Sequence, residues 1–300
     1  MTNPPLFRIG LLLTERCDVA CRHCWFGSSP DRKATMTLEQ AKRYVDEAAA
    51  NGARWVSFTG GEPFLAYGLL RGLTAYASSR GLLSEAVTNC NWATSRKKAL
   101  ELLSSLKDTG LETLNMSVDD FHQEMIPLER VRSCFEAAKW LDLKPVLMIA
   151  IKKGSVITAD RIGEILRDPG IQVLGAEKVS NPSALAMETH FAPVGRGEKI
   201  HRDELKHIPV ESEPCREVLT DIGVLPNGDV MPCCGPLGAQ RDTVIGNLEE
   251  ESLRVVLERA WNNPRLREIY EKGSCQLDGS YVSRCHMCVE AYRKGKEEPR

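Results

Sequence analysis

Eleven cysteines in 300 residues are too few for a disulfide-stapled miniprotein and too many for a typical enzyme of a reducing compartment. Seven of them fall into two groups with ligand-like spacing. Cys17-Asp18-Val19-Ala20-Cys21-Arg22-His23-Cys24 is a C-x3-C-x2-C run. Three thiolates wrap one side of a metal centre. On a cubane iron–sulfur cluster they leave one iron without a protein ligand, open to a substrate or cofactor. A zinc ion completed by His23 or a distant cysteine competes for this run, because structural zinc takes four protein ligands. The second group is Cys215, Cys233, Cys285 and Cys288. Four thiolates, two spanning a hairpin signal and two on a short C-x2-C loop, can close a site. A four-cysteine zinc ribbon is the alternative there.

Elements must hold these groups in place. Leu6–Thr14 reads as a buried strand ending just before Cys17. Thr37–Asn51 reads as a helix opened by a Thr37/Gln40 capping box and stopped at Gly52. Strand patterns at Trp55–Thr59, Glu85–Thr88, Thr113–Val118, Pro145–Ile151 and Gln172–Val179 alternate with helical ones. Those helices are Leu69–Ser79, Ser95–Thr109, Leu128–Leu141 and Ala159–Arg167. Such alternation implies parallel strands with helical crossovers. The fold class expected is α/β, a partial (βα)6 TIM-like barrel over residues 1–180, since a closed eight-unit barrel typically takes about 250 residues. Residues 181–214, polar and rich in Gly and Pro, read as a linker. Val218–Cys233 reads as a hairpin turning at Pro226-Asn227-Gly228-Asp229. A helix at Leu253–Trp261, cysteine-bearing loops to residue 292 and a charged tail at 293–300 complete the chain.

Ser57-Phe58-Thr59-Gly60-Gly61-Glu62-Pro63 follows the second strand pattern. Its glycines let a ligand approach the backbone, and Glu62 can accept from an ammonium group. C-x3-C-x2-C after strand one and Gly-Gly-Glu-Pro after strand two together resemble the radical S-adenosylmethionine (radical SAM) superfamily, over roughly residues 6–180. The resemblance implies that Cys17, Cys21 and Cys24 hold a [4Fe–4S] cluster whose open iron binds the amino and carboxylate groups of SAM. It implies that Gly60, Gly61, Glu62 and Pro63 lie along the methionine part. His23 stands where the family commonly has an aromatic residue against adenine. Reductive cleavage of SAM would give a 5′-deoxyadenosyl radical that takes a hydrogen atom from the substrate. Asn89, Asn115, Ser117 and Asp119, at strand ends, are expected near SAM's ribose or carboxylate. His122, in the loop after strand four, is a candidate substrate contact or proton acceptor. Lys152 and Lys153 read as a solvated pair.

The second cysteine group resembles the SPASM/twitch extension of many such enzymes. No cysteine follows Cys288, so the shortened twitch form is expected, a small hairpin-plus-helix domain at 215–292 with one auxiliary [4Fe–4S] cluster, giving two clusters in all. Cys234 adjoins Cys233, and in an extended segment only one of the two faces the cluster; the spacing from Gly228 selects Cys233. Cys234 and Cys275 are left as inert thiols, alternative ligands or hydrogen-atom donors. Cys90 and Cys134 read as buried small hydrophobes.

The resemblance implies either a ribosomally made peptide substrate, modified by epimerisation, oxidation or cross-linking, or a sugar or aminocyclitol in natural-product biosynthesis. A first strand near residue 6 leaves no room for an N-terminal leader-peptide domain, which pulls toward the small molecule; peptide modification is still placed slightly ahead. A non-catalytic metal-binding adaptor is the reading from another class. An electron donor such as flavodoxin or ferredoxin is expected. Lys plus Arg number 39 against 41 Asp plus Glu, a net charge of −2 that argues against a broad nucleic-acid surface. No apolar run approaches the roughly 18 residues of a membrane helix, and no signal precedes the fold, so a cytoplasmic, membrane-free enzyme is expected.

Overall fold

A computed structural model describes residues 4–189, 191–274 and 279–297. Strand β1 (Arg8–Thr14) leads through a long loop to α1 (Leu38–Ala50). Thr37 Oγ1 accepts from Gln40 N at 3.2 Å and Gln40 Oε1 accepts from Thr37 N at 3.3 Å, so the expected capping box is present. There follow β2 (Trp55–Gly60), α2 (Tyr67–Ser79), β3 (Leu83–Thr88), α3 (Arg96–Asp108) and β4 (Leu111–Ser117). After these come the short α4 (Asp120–Gln123), α5 (Leu128–Trp140), β5 (Lys144–Ile149) and α6 (Ile162–Leu166). Strands β1 to β5 are parallel neighbours in sequence order. Ile9, Leu11 and Leu13 of β1 pack with Val45 and Phe58 in the layer between sheet and helices. The alternate positions face the concave side.

The sheet departs from the expected order at its sixth position. The segment read as the last strand, Gln172–Val179, forms only β6 (Ile171–Val173). The place beside β5 is taken by β7 (Ala184–Glu188), which lies inside the stretch read as a linker. Val179 N donates to the Gln172 side chain at 2.6 Å, and Gln172 donates to Val173 O and Glu177 O. A glutamine that binds the backbone of its own loop folds that loop back and ends the strand.

The hairpin of β8 (Asp221–Val224) and β9 (Asp229–Met231) is present, turning through Gly228 at φ +88°. It is not a separate sheet: β8 pairs in parallel with β1, and β10 (Gly246–Asn247) closes onto β9. One ten-stranded sheet results, in the order β10-β9-β8-β1-β2-β3-β4-β5-β7-β6. Helices α7 (Leu253–Trp261), α8 (Pro264–Lys272) and α9 (Arg284–Glu297) follow. The expected loop at Cys285 and Cys288 is therefore helix, and α9 continues into the tail expected to fray. A second apolar cluster, including Val194, Leu219, Leu237, Trp261, Ile269 and Val289, supports this half. Among the described residues no helix is long and apolar enough to cross a membrane.

Candidate active site

The concave side of the sheet bounds a cavity of about 590 Å³. Cys17, Cys21 and Cys24 line it at the carboxyl end of β1, the end where βα-barrel sites collect. Burial pushes the Cys17 and Cys21 thiols up to about 12. They become thiolates only when a metal takes the place of the proton. The neighbouring sulfurs add to that rise, Cys24 for Cys17 and both Cys17 and Cys24 for Cys21.

Gly60 and Gly61 face this loop at contact distance. A Cβ on Gly60 would lie 2.4 Å from Thr14 O, and one on Gly61 would lie 2.1 Å from Arg16 O. Gly60 also holds φ at +142°. Both glycines line the cavity, but Glu62 does not. Its carboxylate is fully buried behind the wall, accepting from Phe64 N at 3.1 Å, Thr88 Oγ1 at 3.0 Å and Asn89 N at 2.8 Å. Burial drives it up to about 8 against those donors. Pro63 opens a 3-10 turn and is buried beside it. Asn89 lines the cavity, with its side-chain amide turned to Asp18 and Cys17.

His23 lies stacked on Phe121, ring centroids 4.6 Å apart, with His122 edge-on at 4.6 Å. Burial and the neighbouring His122 lower His23 to about 3, so it is neutral. Asp119 caps α4: Oδ1 accepts from His122 N at 2.9 Å, and Oδ2 accepts from Ala150 N at 3.3 Å and lies 2.9 Å from His122 Nδ1. Burial pushes Asp119 up, yet His122 outweighs it and holds Asp119 down at about 2. His23, Asp119 and His122 bring ligand atoms within 4.8 Å of one another; His122 and Ala150 occupy the Asp119 oxygens, and His23 is held by ring stacking. Asn115 and Ser117 line the cavity as expected of strand-four residues. Lys152 bridges to Glu124 at 3.2 Å, and Glu124 also binds Arg22 of the cysteine loop, so this lysine ties loops together rather than standing solvated.

In the second group, a Cβ on Gly235 would lie 3.6 Å from Cys233 Sγ and 3.9 Å from Cys285 Sγ. Cys215 raises the thiol pKa of both, and Cys288 that of Cys285. Burial is the larger cause, pushing Cys233 up to about 12. Cys285 and Cys288 sit one helical turn apart on α9. Cys234 lines the cavity, as Cys285 does, and Cys233 does not. Gly10 and Gly223 pair across the β1–β8 ladder. A Cβ on Gly10 would lie 2.5 Å from Cys234 Sγ, and one on Gly223 3.7 Å away. The thiol fills the room left by the absent Gly10 side chain, Met231 Cε fills that at Gly223, and Cys234 Sγ donates to Ile222 O at 3.0 Å. Cys275 lies outside the described residues. Cys90 and Cys134 are free, fully buried and neighbours in the core, as expected of small hydrophobic cysteines.

Sequence reasoning missed three cavity-lining groups. Arg196 N donates to Cys24 O at 3.1 Å and Arg196 Nε to Cys21 O at 2.9 Å. Gly195 comes so close that a Cβ would lie 2.1 Å from Trp25 O. The Gly195-Arg196-Gly197 run was the available signal. Buried Arg196 Nη2, Trp25 Nε1, Ser28 Oγ and His23 Nδ1 have no partner among the described residues, and all four residues line the cavity.

The profile of the Radical SAM superfamily matches residues 11–162, and that of the SPASM iron–sulfur cluster-binding domain matches residues 215–289. A Bacillus subtilis protein named for peptide biosynthesis, YydG, is 28% identical over 233 residues, 76% of this chain and 69% of that one. The antilisterial bacteriocin subtilosin biosynthesis protein AlbA of the same organism is 25% identical over 92% of this chain. This chain spans 66% of AlbA's length. Among solved structures, Streptococcus suis SuiB bound to its precursor peptide SuiA superposes with a TM-score of 0.60 at 16% identity, over 89% of this chain and 67% of that one. That likeness carries the fold, a partial barrel followed by an iron–sulfur domain.

Proposed function

The chain belongs to the radical SAM superfamily, and from that premise we propose that it modifies a ribosomally made peptide, with epimerisation of a backbone carbon as the reaction the geometry favours. When bound, SAM and a [4Fe–4S] cluster supply a 5′-deoxyadenosyl radical after one-electron reduction. The residues fit this pair. Cys17, Cys21 and Cys24 offer three sulfurs on one loop. Gly60 and Gly61 let their loop close against the cysteine loop, and Arg196, Ser28 and Trp25 line the cavity with polar groups that suit a carboxylate and ribose. The neutral His23 ring, packed among Phe121 and His122, suits an adenine face. In this reading Cys215, Cys233, Cys285 and Cys288 hold one auxiliary cluster.

One observation carries the reaction type. Cys234 Sγ reaches the same cavity as the three loop cysteines, from the β1–β8 wall deep in the barrel. A substrate carbon between them can lose a hydrogen atom on the side of the cysteine loop and receive one on the other side. The Cys234 S–H bond breaks and a C–H bond forms. The sulfur radical left behind regains one electron, from a flavodoxin- or ferredoxin-like donor, and one proton from solvent. Peptide substrates are supported by the kinship with YydG and AlbA.

The test is turnover in D2O of the full chain, reconstituted anaerobically, with SAM, dithionite and the synthetic peptide encoded by the shortest reading frame beside the gene. Epimerisation adds one deuterium at the inverted carbon, because a thiol exchanges with solvent. Cys234→Ala should abolish the inverted product while 5′-deoxyadenosine still forms. A product two hydrogens lighter, or full product from Cys234→Ala, rejects epimerisation.

A further inference from the structure

Asn89 follows β3 directly, in a network that nothing in its expected role near SAM explains. Its side-chain Nδ2 lies 2.9 Å from Asp18 Oδ1 and 3.6 Å from Cys17 Sγ. Its Oδ1 accepts from Asn91 N at 2.8 Å, which fixes which end of the amide faces the sulfur. Asn91 Nδ2 donates to the other oxygen of Asp18 at 2.9 Å. The Asn89 backbone N–H donates to Glu62 Oε2 at 2.8 Å, so the residue joins the Gly-Gly-Glu segment to the cysteine loop. The residue is 6% exposed, so these bonds are largely shielded from bulk water.

We propose that Asn89 tunes the cluster carried by Cys17: its amide donates to Cys17 Sγ and makes that cluster easier to reduce. The proposal rests on the assignment of Cys17 as a cluster ligand. Reduction adds negative charge that spreads onto the ligating sulfurs, and an N–H aimed at one of them stabilises the reduced form more than the oxidised form. Asp18 works the other way. Its Oδ1 lies 3.8 Å from Cys17 Sγ, and a carboxylate there opposes added electrons. The amides of Asn89 and Asn91 draw on that charge while Asn89 presents a donor to the sulfur. Asn89 is a positioning residue in this account and transfers nothing itself.

The experiment is an EPR-monitored redox titration of the anaerobically reconstituted full chain, following the reduced-cluster signal that changes shape on adding SAM. Asn89→Ala removes the donor. Asn89→Asp keeps the oxygen that accepts from Asn91 N but puts a charged acceptor in place of the N–H, so its shift should exceed that of Asn89→Ala. Both variants should retain wild-type iron and show a midpoint potential shifted to more negative values. Midpoints equal to wild type in both variants overturn the proposal. Loss of iron from both also overturns it, in favour of a purely structural role. Absence of any SAM-responsive signal in the wild-type protein would instead fault the assignment of Cys17, so the two failures are separable.

Discussion

Gly60 and Gly61 are the two positions where a single methyl group should do most damage. Ideal Cβ atoms there would meet backbone oxygens of Thr14 and Arg16, which no side-chain rotation can move away. Gly61→Ala is expected to cost about 1–3 kcal/mol of stability by overpacking and to displace the loop that carries Cys17. Its thermal midpoint should fall, and its iron content after reconstitution should fall with it. Glu62 gives a pH signature in the cofactor-free protein. Burial raises its folded pKa to about 8 from the ordinary 4.5, so the folded state binds more protons than the unfolded state between those values. Stability therefore drops as pH rises from about 4.5 to 8, by on the order of a few kcal/mol from this group. Urea denaturation at pH 5 and pH 8 should show that loss in wild type and a flatter profile in Glu62→Gln. At this scale the cysteine loop was legible because its three cysteines are neighbours in sequence. Arg196 was not, because its contacts span 175 residues of chain. The inward turn of Glu62 was not either, since it depends on donors from Thr88 and Asn89.

Among elements, the strand–helix alternation up to β5 could be read directly, because each element carries its own period and its own cap. The reading failed where local pattern and tertiary pairing disagree. Ala184–Glu188 is a short strand whose alternating burial comes from pairing with β5 and β6 on either side. Its flanks of Asn, Pro and Ser favoured a linker. Cys285-His286-Met287-Cys288 looks like a metal knuckle on a loop, yet it opens α9, with Ser283 Oγ accepting from His286 N at 3.1 Å. A helix sets Cys285 and Cys288 on one face and makes their separation rigid. Cys285→Ser should therefore lose the auxiliary centre without disturbing the cysteine loop of β1. On the two-cluster reading, iron analysis should fall from about eight to about four atoms per chain, with SAM cleavage capacity retained. Zinc in place of the missing iron in the wild-type protein would instead identify a four-cysteine zinc site.

For the whole molecule, the decisive feature is that β8 completes the sheet beside β1. Composition suggested a barrel and an appendage, but only long-range pairing reveals that the hairpin supplies barrel wall and, with Gly10, the niche for Cys234. Arg8 pins this seam. Its Nε donates to Asp221 Oδ1 at 2.9 Å, and its Nη1 to Glu85 Oε1 at 2.9 Å, so one guanidinium joins β8, β1 and β3. Burial opposes its charge, and the two carboxylates outweigh that, so its pKa lies above the ordinary arginine value. Removing Asp221 leaves Arg8 facing Glu85 alone. The Arg8 side chain keeps 31% exposure, so the loss is placed on the order of 2 kcal/mol, below the roughly 3–5 kcal/mol of a fully buried pair. Because the seam lies inside one sheet, Asp221→Ala should shift a single cooperative unfolding transition of the full chain, seen alike by far-ultraviolet dichroism and tryptophan fluorescence. Two separated transitions, with only the smaller one moved, would mean that the hairpin and its helices fold apart from the barrel. Its cysteines would then reach the cavity by docking rather than by strand pairing.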